Sequence, residues 1–132
     1  MKRLSYECKK NLISEIEKNP DSPVKRYESA LRDPDFNVFY NAPCLVYIVG
    51  DTAVRTLQVD CALAAAYFMF SASARGLGTC WIGLGKPVRE PSLIVEIGLP
   101  DNHEIVAPVI LGYPKLTPAV PARQDPLILK VV

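Results

Sequence analysis

The stretch DCALAAAYFMFSASARGLGTCWIGLGKP, residues 60–87, decides the fold of this chain. Its first half is rich in alanine and almost uncharged, and a helix that is apolar nearly all round belongs in a core or an interface. We predict a helix over residues 52–75 that Gly76-Leu77-Gly78 ends, with an alanine surface that favours close approach of a second subunit. The next residues, TCWIGL (79–84), predict a short strand leaving into the loop Gly85-Lys86-Pro87.

The residues before this stretch predict two helices and a strand. Leu4, Cys8, Leu12 and Ile16 recur every four residues, the stripe of an amphipathic surface helix that ends at Asn19-Pro20. Ser22-Pro23 offers an N-cap followed by proline, so a second short helix is predicted to about Leu31. The apolar run CLVYIV, residues 44–49, predicts a central strand buried on both faces.

The residues after it predict a helix, a strand and an extended arm. Proline at 91 and Gly98 bracket a helix from Glu90 to Ile97. EIVAPVIL, residues 104–111, predicts a strand whose Pro108 indicates an edge position or a bulge. From Tyr113 onward the chain is an extended arm ending in LILKVV, spaced by Pro114, Pro118, Pro121 and Pro126. This order predicts one layered α/β or α+β domain over residues 1–132.

Composition and charge exclude several classes of protein. The 132 residues carry a net charge of +1, so no basic surface for nucleic acid stands out. The charged first turns do not resemble a signal peptide, and the uncharged run 61–74 is too short to cross a bilayer. We therefore expect a cytoplasmic protein with neither nucleic acid nor membrane as a partner. The widely spaced cysteines predict reduced core side chains, not a metal site.

The chain is poor in groups that perform acid–base or nucleophilic chemistry. It has no nucleophile elbow, zinc-protease motif, phosphate loop or paired catalytic carboxylates. An enzyme of this composition would rely on a cofactor. The glycines of RGLGTCWIGLGKP are the best candidates for contact with one: Gly76 and Gly78 are explained by capping the helix, whereas Gly83 and Gly85 follow the strand, where a ligand loop would leave the sheet.

Three blocks in unbroken order carry a resemblance to a known family. FYNAPCLVYIVGD (39–51), DCALAAAYFMFSASARGLGTCWIG (60–83) and EIVAPVILGYPK (104–115) look like successive signatures of the nitroreductase family. The tail PAVPARQDPLILKVV (118–132) is similar to the proline-rich ending of that family. The GLGTCWIG and VAPVILGYPK blocks at this separation are the specific part of the resemblance, which covers about residues 34–132.

The resemblance implies a fold, a cofactor and a site. The fold would be α+β, an α/β/α sandwich with a mostly antiparallel sheet, in an intertwined homodimer that binds FMN between subunits. Trp81, Ile82, Gly83 and Leu84 would lie beside the flavin ring, and Arg123 would reach the FMN phosphate. Such an oxidoreductase takes hydride from NADH or NADPH and reduces small acceptors such as nitroaromatics, quinones or flavins, without a catalytic protein acid or base.

One departure from the family pattern concerns the phosphate. Family members carry an N-terminal Arg-x-Ser-x-Arg-like motif, whereas this chain offers Lys2, Arg3 and Ser5 in the wrong order. We therefore expect an N-terminally truncated member. Each charge-assisted phosphate contact contributes about 1.5–3 kcal/mol, so FMN affinity should be reduced. The alternative is a non-catalytic dimeric remnant, or a module that binds flavin or another small ligand.

Overall fold

The structure is a computed structural model that describes residues 1–116, 119–128 and 130. Its helices are α1 (Lys2–Lys18), α2 (Glu28–Arg32), α3 (Leu57–Ser73) and α4 (Pro91–Glu96), and its strands are β1 (Cys44–Asp51), β2 (Gly78–Trp81) and β3 (His103–Gly112). Two 3₁₀ turns, Pro23–Tyr27 and Gly83–Gly85, complete the order. No helix within this part of the chain is long and apolar enough to cross a membrane.

The N-terminal helices follow the sequence prediction. The four stripe residues of α1 are buried, and the helix ends at Lys18 as the Asn19-Pro20 signal predicts. Ser22 caps the next segment, where its Oγ accepts a hydrogen bond from the Val24 N–H at 3.4 Å. That segment is a 3₁₀ turn over Pro23–Tyr27, and the α-helical hydrogen bonds begin only with α2 at Glu28.

The three strands form an antiparallel sheet in the order β1-β3-β2. The prediction that residues 44–49 form the central strand is therefore wrong: β1 is half-buried, and β3 is the only strand of the described sheet with a neighbour on each side. For Pro108 the sequence predicted an edge position or a bulge: the edge position is wrong, whereas a bulge does lie in this strand, two residues away at Val106. Pro108 lies opposite Tyr47, and its carbonyl accepts from the Ile82 N–H just after β2 ends, so its missing N–H faces the place where β2 leaves the sheet.

A β-bulge in β3 determines which side chains of this strand face α3. Ile48 pairs with Ala107 and Val49 pairs with Ile105, which leaves Val106 unpaired and turns it and Ala107 toward the same face. That face packs on α3 through Leu57, Cys61 and Ala65. The other face packs against α1 and α2, with contributions from Leu45, Tyr47, Val49, Ile105 and Ile110. The molecule is an α+β sandwich with a helical layer on each side of the sheet, as the family resemblance implied.

Helix α3 is shorter than predicted at its start. Residues 52–56 form turns, because β1 continues through Asp51 and the Asp51 carboxylate accepts the Ala53 N–H at 2.9 Å. The helix ends at Ser73, two residues before the predicted end at residue 75, and the predicted stop Gly76 follows it with a φ of 73°, the left-handed conformation of a C-terminal cap. Gly98 closes α4 in the same way with a φ of 68°.

Two further predictions meet mixed outcomes. Cys8 and Cys61 are buried and Cys44 and Cys80 are exposed, all as free thiols, so the core role predicted for the cysteines holds for two of them. The described residues of the arm, 113–116, 119–128 and 130, are exposed and adopt neither helix nor strand. Pro118 and the residues 129, 131 and 132 of the predicted apolar ending lie outside the described residues.

Candidate functional site

The glycine turn after β2 (Gly83–Gly85) is the feature that the sequence singled out. Trp81 ends β2 with 39% of its surface exposed, and the Ile82 side chain is buried. The Ile82 N–H donates to the Pro108 carbonyl at 2.8 Å, and the Ile82 carbonyl accepts from the Gly85 N–H at 2.9 Å. Both backbone groups of Ile82 are thus used by the fold. The strand predicted to reach residue 84 ends at Trp81, because the Ile82 carbonyl bonds to Gly85 within the 3₁₀ turn and not to a neighbouring strand.

The two glycines of the turn have different reasons to be glycine. A Cβ at Gly85 would lie 2.5 Å from Phe39 Cε1 and 3.2 Å from Pro108 Cβ, so packing excludes a side chain there. A Cβ at Gly83 would meet no atom within 4 Å, and its φ is not positive. Neither packing nor backbone conformation in this protomer requires glycine at 83. Packing explains why residue 85 is glycine. For residue 83, close approach of a ligand to the backbone is an explanation that remains.

The turn presents unused hydrogen-bond donors. The N–H groups of Gly83 and Leu84 find no acceptor among the described residues, as expected for the first residues of a helical turn. Gly83 is exposed and Leu84 is half-buried. The turn can therefore donate backbone hydrogen bonds to a ligand that lies against Gly83.

Two neutral groups, the half-buried Tyr47 and the buried Cys8 near it, lie on the inner side of the turn. The Tyr47 hydroxyl donates to the Gly85 carbonyl at 3.4 Å. Burial, and to a lesser extent the nearby Cys8, raises the pKa of Tyr47 above its ordinary value. Burial and the charge of Glu7 raise the pKa of the Cys8 thiol to about 12. Both groups stay protonated at neutral pH, so the support under the turn carries no charge.

A buried carboxylate, which the sequence analysis missed, fixes the segment after the turn. Glu7 is 2% exposed, and its Oε1 accepts from Asn11 Nδ2 at 2.7 Å and from the Glu90 N–H at 3.1 Å. Asn11 Nδ2 also donates to the Pro87 carbonyl at 2.8 Å. Burial raises the pKa of Glu7, but hydrogen bonds from Lys10 and Asn11 outweigh it, so this pKa lies below its ordinary value. The signal was the position of Glu7 and Asn11 beside the apolar stripe, three and seven residues after Leu4.

The predicted site residues fall into two groups. Trp81, Ile82, Gly83 and Leu84 are consecutive around the turn, and of these the Ile82 side chain points into the core. Arg123 lies in the exposed arm and forms no ion pair with another described residue. The protomer therefore assembles the turn, and no ion pair among the described residues links Arg123 to it.

Other chemistry has little support in the described part of the chain. No group of three or more His, Cys, Asp or Glu residues there could hold a metal ion. His103 begins β3, and its Nδ1 lies 2.9 Å from Asn102 Oδ1. Among the described residues no hydrogen bond joins His103 to a cysteine, as a Cys–His nucleophile pair would require.

Comparison with known proteins gives one family and one fold. A model of the nitroreductase family matches residues 1–113, which includes α1 and α2 and ends where the arm begins. A nitroreductase with bound FMN from Bacteroides fragilis superposes with a TM-score of 0.74 at 19% identity, over 98% of this chain and 68% of that one. A nitroreductase with bound FMN from Desulfitobacterium hafniense gives 0.67 at 22% identity, over 92% and 68%.

A third similar structure has a different reaction in its name. Iodotyrosine deiodinase bound to FMN and 3-iodo-L-tyrosine superposes with a TM-score of 0.61 at 17% identity, over 100% of this chain and 73% of that one. These likenesses show the fold. The chain spans about two thirds of the length of the two bacterial nitroreductases. No curated protein sequence gave a match.

Proposed function

This chain belongs to the nitroreductase family, and we propose that it is an FMN-dependent oxidoreductase that passes electrons from NADH or NADPH to a small acceptor. Nitroaromatics, quinones and free flavins are the acceptor classes proposed. The observation that carries the proposal is Gly83, a glycine that the packing of the protomer does not require, next to two unused N–H donors. A flat ring with carbonyl and nitrogen acceptors fits such a surface.

The residues of the chain would position the cofactor and leave the chemistry to it. FMN, when bound, supplies the capacity to accept a hydride and to return electrons. The N–H groups of Gly83 and Leu84 would donate to acceptor atoms of the ring, and Gly83 would let the ring approach the backbone. Trp81 would border the ring, while Ile82 contributes only as part of the backbone. Phe39, Pro108 and Tyr47 hold the turn in place, as preorganised binding requires.

Arg123 is the residue proposed to hold the FMN phosphate. Its guanidinium is exposed on an extended arm, where it has reach and no competing partner among the described residues. A guanidinium binds phosphate through forked donors, which suits this role. In this proposal the arm belongs to the site and carries the cation to it.

The outer face of α3 supports a homodimer as the working form. Val59, Leu63, Tyr67 and Phe70 are exposed and recur at positions that share one side of the helix, opposite the face that packs on the sheet. A continuous exposed apolar surface of this kind marks a protein interface. We propose that two copies of the chain pair through this face.

Turnover with and without flavin tests the function. The purified protein, saturated with FMN, should oxidise NADH or NADPH faster when a nitroaromatic or a quinone is added than without either acceptor. The same protein stripped of FMN serves as the control and should show no oxidation. Tight FMN binding without any oxidation of either nicotinamide would refute the enzymatic proposal and favour a flavin-binding module.

A further inference from the structure

A cleft lies beside the glycine turn, between α1, α4 and the start of β3. Its volume is about 570 Å³, a size that accommodates a small organic molecule. Gly83 borders it at one edge. Its apolar walls are formed by Leu12, Val24, Val88, Ile94, Leu99 and Ile105. An apolar ligand body could therefore be desolvated here.

The charged groups that line the cleft differ in whether they have partners. Glu15 Oε1 accepts from Ser22 Oγ at 2.7 Å, and the Glu104 carboxylate accepts from the Gln58 side-chain amide. Lys86 and Arg89 also line the cleft, and neither forms an ion pair or a side-chain hydrogen bond with another described residue. The partners of the two carboxylates are neutral side chains, and His103 also lines the cleft. Lys86 and Arg89 are thus the lining cations that have no ion-pair partner among the described residues and can recognise a ligand.

The backbone that carries these two cations is held in place. Pro87 lies between them in the sequence, and its carbonyl accepts from Asn11 at 2.8 Å. The Val88 N–H donates to the Lys86 carbonyl at 2.9 Å, and the buried Glu7 carboxylate accepts the Glu90 N–H. A cation presented on anchored backbone loses less freedom on binding than one on a mobile loop.

We propose that this cleft binds a small organic anion, with an apolar body of one or two rings on the walls and a carboxylate at Lys86 and Arg89. A guanidinium and an ammonium recognise a carboxylate by charge-assisted hydrogen bonds, and Arg89 can do so with two parallel donors. The cleft shares only Gly83 with the residues proposed for FMN, so we place the anion beside the flavin and not in its place, and the inference does not depend on the flavin.

A pair of ligands with the same body tests the role of charge. The full chain is titrated by calorimetry with 1-naphthoate and with the neutral 1-naphthamide. Naphthoate should bind roughly tenfold or more tightly than the amide, since one charge-assisted contact is of that size. Equal affinities, or no binding of naphthoate, would overturn the proposal.

Variants test the place of binding. The double substitution Lys86→Met and Arg89→Met should weaken naphthoate binding roughly tenfold or more and leave naphthamide binding unchanged. Lys18→Met, an exposed cation at the end of α1 outside the cleft, is the matched control and should have no effect. Both changed side chains are exposed, so folding should persist, and a thermal unfolding curve checks it. Unchanged naphthoate affinity in the folded double variant would refute the assignment.

Competition separates this site from the flavin site. Saturating FMN should leave the naphthoate affinity unchanged, and displacement of naphthoate by FMN would overturn the claim of a separate cleft. FMN binding is measured on the same preparation, so a failure of the flavin proposal and a failure of the anion proposal give different results.

Discussion

Alanine at each glycine of the turn should separate a folding role from a binding role. A Cβ at position 85 would lie 2.5 Å from the Phe39 ring, well inside van der Waals contact. Relief of such overlap in a packed core costs about 1–3 kcal/mol, so Gly85→Ala should lower the free energy of unfolding by that amount. Gly83→Ala meets open space at an ordinary φ and should leave this free energy unchanged or slightly higher.

FMN binding should respond in the opposite order. A methyl group at position 83 would stand between the backbone donors and a flavin ring, so Gly83→Ala should weaken FMN binding roughly tenfold, about 1.4 kcal/mol. Urea denaturation of the flavin-free protein measures the first effect, and quenching of flavin fluorescence during titration measures the second. Wild-type FMN affinity in Gly83→Ala would refute the placement of the ring, and wild-type stability in Gly85→Ala would refute the packing explanation.

Three further substitutions test the interface, the buried carboxylate and the arm. Phe70 is 73% exposed in the protomer, so its burial in a dimer contributes about 1–2 kcal/mol per copy and about twice that across a symmetric interface. Phe70→Ala should therefore weaken dimerisation roughly 30- to 1000-fold by sedimentation analysis, whereas Val95→Ala on α4, 80% exposed, should not. Glu7→Gln should cost about 1–3 kcal/mol of stability at neutral pH, more than the exposed control Glu17→Gln. Because the folded pKa of Glu7 is lowered, this difference should be present above pH 4.5 and disappear as the pH falls through the folded pKa; a pH-independent difference would contradict the carboxylate's role. Arg123→Met should weaken binding of FMN but not of riboflavin, which lacks the phosphate, and equal losses for both ligands would contradict a phosphate contact.

Local signals predicted most of the elements because each had a nearby physical cause. The stripe of α1, the glycine that ends α3 and the proline and glycine that bracket α4 all act within a few residues. The first residue of α3 was predicted too early because β1 continues to Asp51, where this residue pairs with His103 of β3. That contact joins residues distant in sequence, which periodicity cannot reveal.

Strand order was the main failure for the same reason. The apolar run of β1 indicated a central strand, and Pro108 in β3 indicated an edge or a bulge. In the structure β3 is central. It tolerates Pro108 because this residue lies where the neighbouring strand β2 ends, so no backbone donor is needed there. For the site, the sequence identified the turn but could not distinguish Gly83 from Gly85, since only the position of Phe39 makes that distinction.

FMN titration of the purified protein tests the central claim most directly. Flavin fluorescence and the visible spectrum are followed as FMN is added to protein that has been stripped of any chromophore. The flavin proposal predicts saturable quenching and a shifted visible spectrum, with one FMN bound per protomer. A protein that stays colourless after incubation with FMN, with no change in flavin fluorescence, would contradict it.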